Sequence, residues 1–345
     1  MTTNHIKGRS VLFIGGTGVI SSACAARAAA LGADVHLLNR SVSAARPVPE
    51  GVSVITADVR DADAARAALD GREFDVVVDF LGFTTEQVSR SVALFAGRTG
   101  QYVFIGTAAA YQRPPARVPV PETARLHNPH SAYARNKIAC EELLARAHHE
   151  RDLPVTVVRP SHTYDRTAVP FDGGWTAVER MRQGKEVMVH GDGTSLWTLT
   201  HHTDFALGFA GLLGNPAALG ETFHITGDEV LSWDEIYRIV AGAAGVDEPR
   251  LVHVPSDAIA AADPAWGEDL LGDKAHSMVF DNTRIRRLVP EFTASVPFTQ
   301  GAREIVAWYD EDPARRVVDT RREAVMERLI EAHRPRWAVS SNDHR

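Results

Sequence analysis

Short apolar runs alternate with amphipathic or alanine-rich stretches along the first half of the chain. The apolar runs predict strands at Ser10–Ile14, Asp34–Leu38, Val52–Thr56, Phe74–Phe80, Gln101–Ile105 and Val155–Val158. The stretches between them predict helices at Ser22–Leu31, Ala62–Leu69, Glu86–Phe95 and Ala132–His148. Apolar strands that alternate with helices are typical of an α/β fold with a doubly wound parallel sheet.

The pattern becomes shorter and more mixed in the second half. It predicts helices at Thr176–Arg182, Asp204–Leu213, Ser232–Ala241, Ser256–Ala262, Asp281–Leu288 and Phe298–Tyr309, and strands at Val187–His190, Thr222–Ile225 and Leu251–Val254. The acidic, Pro- and Gly-containing segment Asp263–Asp273 predicts a mobile loop, and the alternating charges of Asp310–Arg334 predict one solvated helix. We therefore expect a dinucleotide-binding domain at 1–165, a smaller, mainly substrate-binding domain at 166–335 with segments returning to the main sheet, and a disordered tail at 336–345.

Composition narrows the possible partners. Of the 345 residues, 44% are hydrophobic and 23% are charged, as in ordinary soluble globular proteins. The net charge of −7 argues against nucleic acid as the main partner, since phosphate binding needs a basic face. The chain starts without a signal-peptide pattern, and its two cysteines give no disulfide framework, so we expect a cytoplasmic protein without a membrane segment.

A glycine-rich turn links the first predicted strand to the first helix. The stretch reads Gly15-Gly-Thr-Gly-Val-Ile-Ser21. In this context backbone amides and the helix N-terminus face a dinucleotide pyrophosphate, which makes Gly15, Thr17, Gly18, Val19 and Ile20 candidate contacts. Ser21 replaces the last glycine of the usual spacing, and its small side chain can be tolerated there.

The residues after the next strands bear on the choice of cofactor. Asn39 and Arg40 follow the second strand, where a neutral residue and an arginine accept a 2′-phosphate, so NADP is favoured and NAD stays possible. Stacking of Arg40 on adenine is the alternative. Further candidate cofactor contacts at strand ends are Asp58, Val59, Leu81 and Gly82.

The stretch that begins Ser131-Ala-Tyr-Ala-Arg-Asn-Lys137 carries the candidate chemistry. Residues four apart share one face of a helix, so Tyr133 and Lys137 are neighbours. A phenol ordinarily ionises near pH ~10, and a nearby ammonium lowers that pKa, which makes the phenol usable as a base. Thr107, at the end of the fifth strand, completes a catalytic triad.

These motifs occur in a specific order. They are Gly15-Gly-Thr-Gly-Val-Ile20, Thr107-Ala-Ala-Ala-Tyr111, Pro121-Glu122, Tyr133 to Lys137, Arg159-Pro160, and Gly191-Asp-Gly193 to His201. Over nearly its full length the chain resembles the extended short-chain dehydrogenase/reductases, a family of nucleotide-sugar epimerases and dehydratases with a Rossmann-type fold.

The resemblance implies roles for single residues. Tyr133 would take the substrate hydroxyl proton while hydride passes to the nicotinamide, Lys137 would bind the nicotinamide ribose, and Thr107 would bond the reacting oxygen. Pro160 would lie against the nicotinamide. Candidate substrate contacts are Phe83, Thr107, Tyr111, His162, Trp175 and Trp197.

Departures from the family pattern narrow the reaction. Ala108 and Ala109 stand where dehydratases and decarboxylases of the family carry carboxylates, which disfavours both reactions. An epimerase and a plain dehydrogenase/reductase remain open, on a secondary hydroxyl of a sugar, nucleotide sugar or glycoside. Trp197 stands where nucleotide-sugar enzymes usually have an arginine for the diphosphate; it can stack on the substrate or only pack inside the protein.

A metal ion and RNA are less favoured as partners. The adjacent histidines His201 and His202 have no carboxylate or cysteine set beside them, so no metal site is expected. The alternative function is a non-catalytic RNA-binding or cofactor-sensing protein of the same fold, like chloroplast stem-loop RNA-binding proteins. By resemblance, a homodimer would form through the helices at Glu86–Phe95 and Ala132–His148.

Overall fold

The structure, a computed structural model, describes residues 4–40 and 46–334. In chain order the strands are β1 (Ser10–Ile14), β2 (Asp34–Asn39), β3 (Ser53–Thr56), β4 (Val76–Asp79), β5 (Gln101–Ile105), β6 (Val155–Pro160), β7 (His162–Tyr164), β8 (Glu186–His190), β9 (Leu196–Trp197), β10 (Leu199–His201), β11 (Thr222–Ile225), β12 (Leu231–Ser232) and β13 (Arg250–Val254). The predicted tail at 336–345 lies outside the described residues.

The helices follow the same chain order. They are α1 (Val19–Ala30), α2 (Ala62–Ala68), α3 (Thr85–Phe95), α4 (Ala132–Glu150), α5 (Gly174–Arg182), α6 (His202–Ala210), α7 (Trp233–Ala243), α8 (Ser256–Ala262), α9 (Pro264–Asp269), α10 (Thr283–Leu288), α11 (Phe298–Glu311) and α12 (Thr320–His333). No helix in the described part of the chain is both long enough and apolar enough to span a membrane.

Seven parallel strands form the main sheet, in the order β11-β6-β5-β4-β1-β2-β3. The doubly wound parallel sheet predicted from the sequence is confirmed. The strand order reverses at β1, which pairs with β2 on one side and β4 on the other. Ligands of open α/β sheets bind at such a switch point, outside the carboxyl ends of the strands.

Both faces of this sheet are buried. Side chains alternate along β1, so that Val11 and Phe13 join one apolar cluster with residues of α1 and α6, whereas Leu12 and Ile14 join another with residues of α3 and α4. A strand buried on both faces needs an uninterrupted apolar run, which explains the sequence pattern.

The chain divides into two compact units. The first unit comprises the chain up to Asp165 together with Thr198–Glu229 and Val279–Val296, so it includes β11 and the whole main sheet. The second unit comprises Arg166–Trp197, Val230–Met278 and the chain from Pro297 onward. It contains the parallel pair β8–β13 and the antiparallel pair β9–β12.

The prediction of a mobile loop at Asp263–Asp273 is wrong. This segment forms α9 and a π-helical turn, Leu270–Lys274. Asp263 accepts hydrogen bonds from the first amides of α9, and the proline that follows occupies the first helical position, where its missing N–H costs nothing. Trp266 and Leu270 are buried in the core of the second unit, which fixes the segment.

The prediction of one helix over Asp310–Arg334 is also wrong. α11 ends at Glu311, a 3₁₀ turn follows at Pro313–Arg315, and α12 begins at Thr320. The charge pattern continues across Pro313 and therefore gives no sign of the break that this proline imposes on the helix. In contrast, the helix predicted at Ser232–Ala241 is confirmed as α7, and Ser232 and Glu235 exchange both bonds of a capping box at its start.

Candidate active site

A cavity of about 750 Å³ lies in the first unit at the carboxyl ends of the central strands. The sequence-predicted residues that line it are Gly15, Thr17, Gly18, Val19, Ile20, Asn39, Arg40, Asp58, Val59, Leu81, Phe83, Thr107, Tyr133, Lys137 and Pro160. The fold therefore brings most of the candidate cofactor residues and the Tyr-Lys-Thr set to the wall of one cavity.

The glycine turn forms one part of that wall. Gly16 has a φ of +105°, and a Cβ at this position would stand 2.6 Å from the Leu37 side chain of β2. Both the backbone conformation and the space therefore require glycine. Val19 and Ile20 begin α1, and the first backbone N–H groups of a helix have no partner within it. This end of the helix can bind an anion.

Ser21 has a specific role in the same turn. Its Oγ accepts a hydrogen bond from the Gly18 amide at 2.8 Å, and the side chain is 2% exposed. The hydroxyl thus closes the turn from within α1. The substitution of serine for the usual glycine adds a bond that the spacing alone did not predict.

At the end of β3, an ion pair shapes the cavity wall. Arg60, which sequence reasoning missed, bonds both carboxylate oxygens of Asp58 at 2.6 to 3.1 Å and lines the cavity. These hydrogen bonds hold the pKa of the Asp58 carboxyl well below its usual range. The signal that could have revealed Arg60 is a basic residue two positions after a carboxylate at a strand end.

Lys137 is buried beneath the opposite part of the cavity. Its side chain is 1% exposed, and Nζ donates to the carbonyl oxygens of Gly82 at 2.9 Å and Ile105 at 2.7 Å. The ammonium also lies 4.7 Å from the Phe83 ring centroid and 4.8 Å from that of Phe104. Burial lowers the pKa of Lys137 to about 8.

Tyr133 and Thr107 complete this part of the wall. Tyr133 is 43% exposed, and its ring centroid lies 6.3 Å from that of Phe83 and 5.8 Å from Lys137 Nζ. Ser131 caps α4 by accepting from the Ala134 amide, which starts the helix just before Tyr133. Thr107 Oγ1 accepts a hydrogen bond from the Ala109 amide at 3.1 Å.

Three other candidates of the first unit are not among the residues that line this cavity. Gly82 contributes its carbonyl to Lys137 instead. Tyr111 is 1% exposed, and its hydroxyl bonds Arg159 at 2.7 Å and His224 Nε2 at 2.5 Å. His162 begins β7, where it pairs with Leu199 of β10.

The two candidate tryptophans lie in the second unit. Trp175 lies in α5, which begins two residues before the predicted helix start at Thr176; it is 4% exposed and stacks on Tyr309 with ring centroids 4.4 Å apart. Trp197 is 2% exposed and packs against Trp233 at 5.5 Å.

His201 Nδ1 contacts Thr203 Oγ1 at 2.6 Å. Within residues 4–40 and 46–334, no three His, Cys, Asp or Glu side chains are grouped as metal ligands would be.

Residues 11–226 match the model of the NAD-dependent epimerase/dehydratase family. The chain is 28% identical over 196 residues to the chloroplast stem-loop binding protein of 41 kDa b from Arabidopsis thaliana, covering 57% of this chain and 50% of that protein. It is 32% identical over 183 residues to a dTDP-glucose 4,6-dehydratase from Actinoplanes, covering 52% of each. The chain thus spans about half the length of these two relatives.

Two epimerases extend the comparison. A UDP-glucose 4-epimerase from Mycolicibacterium smegmatis is 28% identical over 228 residues, covering 65% of this chain and 66% of that protein. The solved structure of epimerase Mth375 from Methanothermobacter thermautotrophicus superposes with a TM-score of 0.74 at 16% identity, covering 90% of this chain and 95% of that one. The structural likeness supports the same fold.

Proposed function

The chain belongs to the NAD-dependent epimerase/dehydratase family, and we propose that it is an oxidoreductase or epimerase that acts on a secondary hydroxyl of a carbohydrate-like substrate. The observation that carries this proposal is the placement of Tyr133, Lys137 and Thr107 on the wall of the cavity that also contains the glycine turn. A base, a cation and a hydroxyl thus share one space with a candidate phosphate site.

The residues present fit a nicotinamide dinucleotide. Gly16, with a φ of +105° and the Leu37 side chain where a Cβ would stand, keeps the turn tight against β2, and α1 presents its N-terminus to the cavity. Gly15–Ile20 would hold the pyrophosphate, Asp58 and Val59 the adenine, and Lys137 with Pro160 the nicotinamide end. When bound, the nicotinamide supplies a hydride acceptor or donor.

The side chains supply proton transfer and positioning. Tyr133 accepts the proton of the substrate hydroxyl as the general base. Lys137 has three N–H donors, of which two bind carbonyls, so the third can bind the nicotinamide ribose. Thr107 Oγ1 already accepts from an amide, and its own proton can be donated to the reacting oxygen.

We favour an epimerase or a dehydrogenase/reductase over a dehydratase. Ala108 and Ala109 follow Thr107 and carry no proton-transferring group. Among the described residues that line the cavity, the one carboxylate is Asp58, which Arg60 engages at the end of β3. One relative is named a dehydratase, so measurement of water elimination from a nucleotide sugar tests this part directly.

NADP is the proposed cofactor, with NAD as the alternative that the family name states. Arg40 lines the cavity near the end of β2, where a guanidinium group favours a 2′-phosphate, whereas Arg60 is paired with Asp58. Fluorescence titration with NADPH and NADH measures the preference. Tighter binding of NADH would contradict it.

The test of the proposed function is a substrate panel. Purified protein is mixed with sugars, nucleotide sugars and glycosides, nicotinamide absorbance is followed, and mass spectrometry identifies what co-purifies. We expect Tyr133-dependent turnover of at least one secondary alcohol. Turnover that is unchanged in Tyr133→Phe would overturn the mechanism.

RNA binding is the second candidate function, favoured by the similarity to the chloroplast stem-loop binding protein. The net charge of −7 opposes it. Salt-dependent retention of a stem-loop RNA at physiological ionic strength would support this function.

A homodimer through α3 and α4 is part of the proposal. Analytical ultracentrifugation tests it.

A further inference from the structure

Asp79 is a buried carboxylate close to the candidate catalytic residues. It is the last residue of β4, and it is 1% exposed. Oδ1 accepts from the Leu81 amide at 2.8 Å, and Oδ2 accepts from Ser91 Oγ at 3.0 Å and from Tyr102 OH at 2.6 Å. Burial raises the pKa of Tyr102, so its proton stays on the phenol and is donated to Asp79. Three donors therefore hold the carboxylate in place, which offsets the cost of burying it.

These bonds shape the turn that holds Lys137. The bond to the Leu81 amide folds the chain back directly after β4, and the next residue, Gly82, presents its carbonyl to Lys137 Nζ. A Cβ on Gly82 would stand 2.9 Å from Phe104 and 3.2 Å from Asp79 Oδ2. The turn is packed on the carboxylate, so its geometry depends on Asp79.

Asp79 also differs from the other acidic group that acts on Lys137. The acidic groups that act electrostatically on the ammonium are Asp79 from β4 and, on α4 itself, Cys140 and Glu141, and the Tyr133 ring lies 5.8 Å from it. Burial raises the pKa of the Cys140 thiol to about 11, which leaves it neutral. Arg159 binds both carboxylate oxygens of Glu141 at 2.6 to 3.2 Å and neutralises it. The partners of the Asp79 carboxylate, by contrast, are uncharged donors.

We propose that Asp79 is a positioning residue for the active site: its carboxylate keeps the buried Lys137 charged and fixes the Gly82 carbonyl that holds Nζ. The effect on catalysis rests on the proposed function, whereas the effect on Lys137 itself does not. Without this partner, desolvation would lower the pKa of Lys137 further.

The test measures the titration of Lys137 directly. The sequence contains four lysines, Lys7, Lys137, Lys185 and Lys274. Protein labelled with ¹³C-lysine gives a resolved Cε signal for each, and the signal lost in Lys137→Met assigns Lys137. We expect Asp79→Asn, which keeps size and removes charge, to lower the titration midpoint of Lys137 by about one pH unit or more.

Asp75→Asn is the matched control. Asp75 precedes β4 and binds the Ser10 amide with Oδ2 at 2.9 Å. This variant should leave the Lys137 midpoint unchanged, and Lys274, in the second unit, should titrate alike in all variants. If Asp79→Asn does not fold, Asp79→Ser serves the same purpose. An unchanged Lys137 midpoint in a folded Asp79 variant overturns the proposal.

Kinetics separate this proposal from the proposed function. With a substrate in hand, Asp79→Asn should shift the alkaline limb of kcat/KM to lower pH by the same amount as the lysine signal and should recover activity at lower pH. A merely structural defect would reduce activity at every pH. If no substrate is turned over, the lysine titration still decides the role of Asp79.

Discussion

The two ends of the cavity differ in what forms their walls: backbone at one end and side chains at the other. At the glycine turn, the shape of the wall depends on backbone conformation and on the absence of a side chain, since Gly16 faces Leu37 with no room for a Cβ. At the opposite end the wall contains two side chains of α4 that differ in burial: Tyr133 is 43% exposed and Lys137 is 1% exposed. The first end is suited to holding a ligand, and the second is suited to chemistry. Substitutions should therefore separate cofactor affinity from turnover.

The largest effect is expected for Lys137→Met. Methionine fills a similar volume but removes the donor and the charge next to Tyr133, so kcat/KM should fall by about 10³-fold, with a smaller loss of cofactor affinity. Steady-state kinetics and cofactor titration measure the two. Lys185→Met is the control, because the Lys185 side chain is 44% exposed and its loss should leave both constants unchanged. Equal losses in cofactor affinity and in kcat/KM would contradict the separate roles of the two ends of the cavity.

The wild type and Lys137→Met should also differ in how their stability depends on pH. Burial lowers the pKa of Lys137 from 10.5 to about 8, so the folded state binds fewer protons than the unfolded state between these values. Relative to Lys137→Met, the wild type should gain unfolding free energy as the pH rises through this window, by about 3 kcal/mol at most. Urea unfolding at a series of pH values tests the sign. A gain on lowering the pH would contradict the burial of a charged lysine.

At the other end, Gly16→Ala should weaken cofactor binding by about 50-fold and leave kcat at saturating cofactor close to the wild-type value. Gly51→Ala is the matched control, because Gly51 also has a positive φ, +75°, but nothing within 4 Å of a Cβ. Alanine is strained at the positive φ of both positions, so both variants should lose a similar amount of stability through the backbone. Thermal unfolding measures these two losses. Normal cofactor affinity in Gly16→Ala would show that the turn does not hold the ligand.

The smallest effect concerns the choice between cofactors. Arg40→Ala should reduce the ratio of NADPH to NADH affinity by about tenfold, because the cation near the 2′-position is lost. Parallel fluorescence titrations with both cofactors measure the ratio. A similar loss for both cofactors would instead indicate that Arg40 stacks on adenine.

Much of the first unit could be predicted from sequence because its signals are local. Uninterrupted apolar runs mark strands that are buried on both faces, and the glycine turn has a fixed place between β1 and α1. The Asp79 network could not be predicted in this way, since Leu81, Ser91 and Tyr102 meet only after the sheet has formed. The second unit shows the same limit: α9 looks like a loop until Trp266 is seen to be buried.

The proposed function depends most on one step, in which the Tyr133 phenol takes the substrate proton beside a bound nicotinamide. Single-turnover absorbance, with wild type and Tyr133→Phe at equal and saturating cofactor occupancy, tests it most directly. We expect a substrate-dependent change in nicotinamide absorbance in the wild type and a rate at least about 10²-fold lower in Tyr133→Phe. Equal rates at equal occupancy would contradict it.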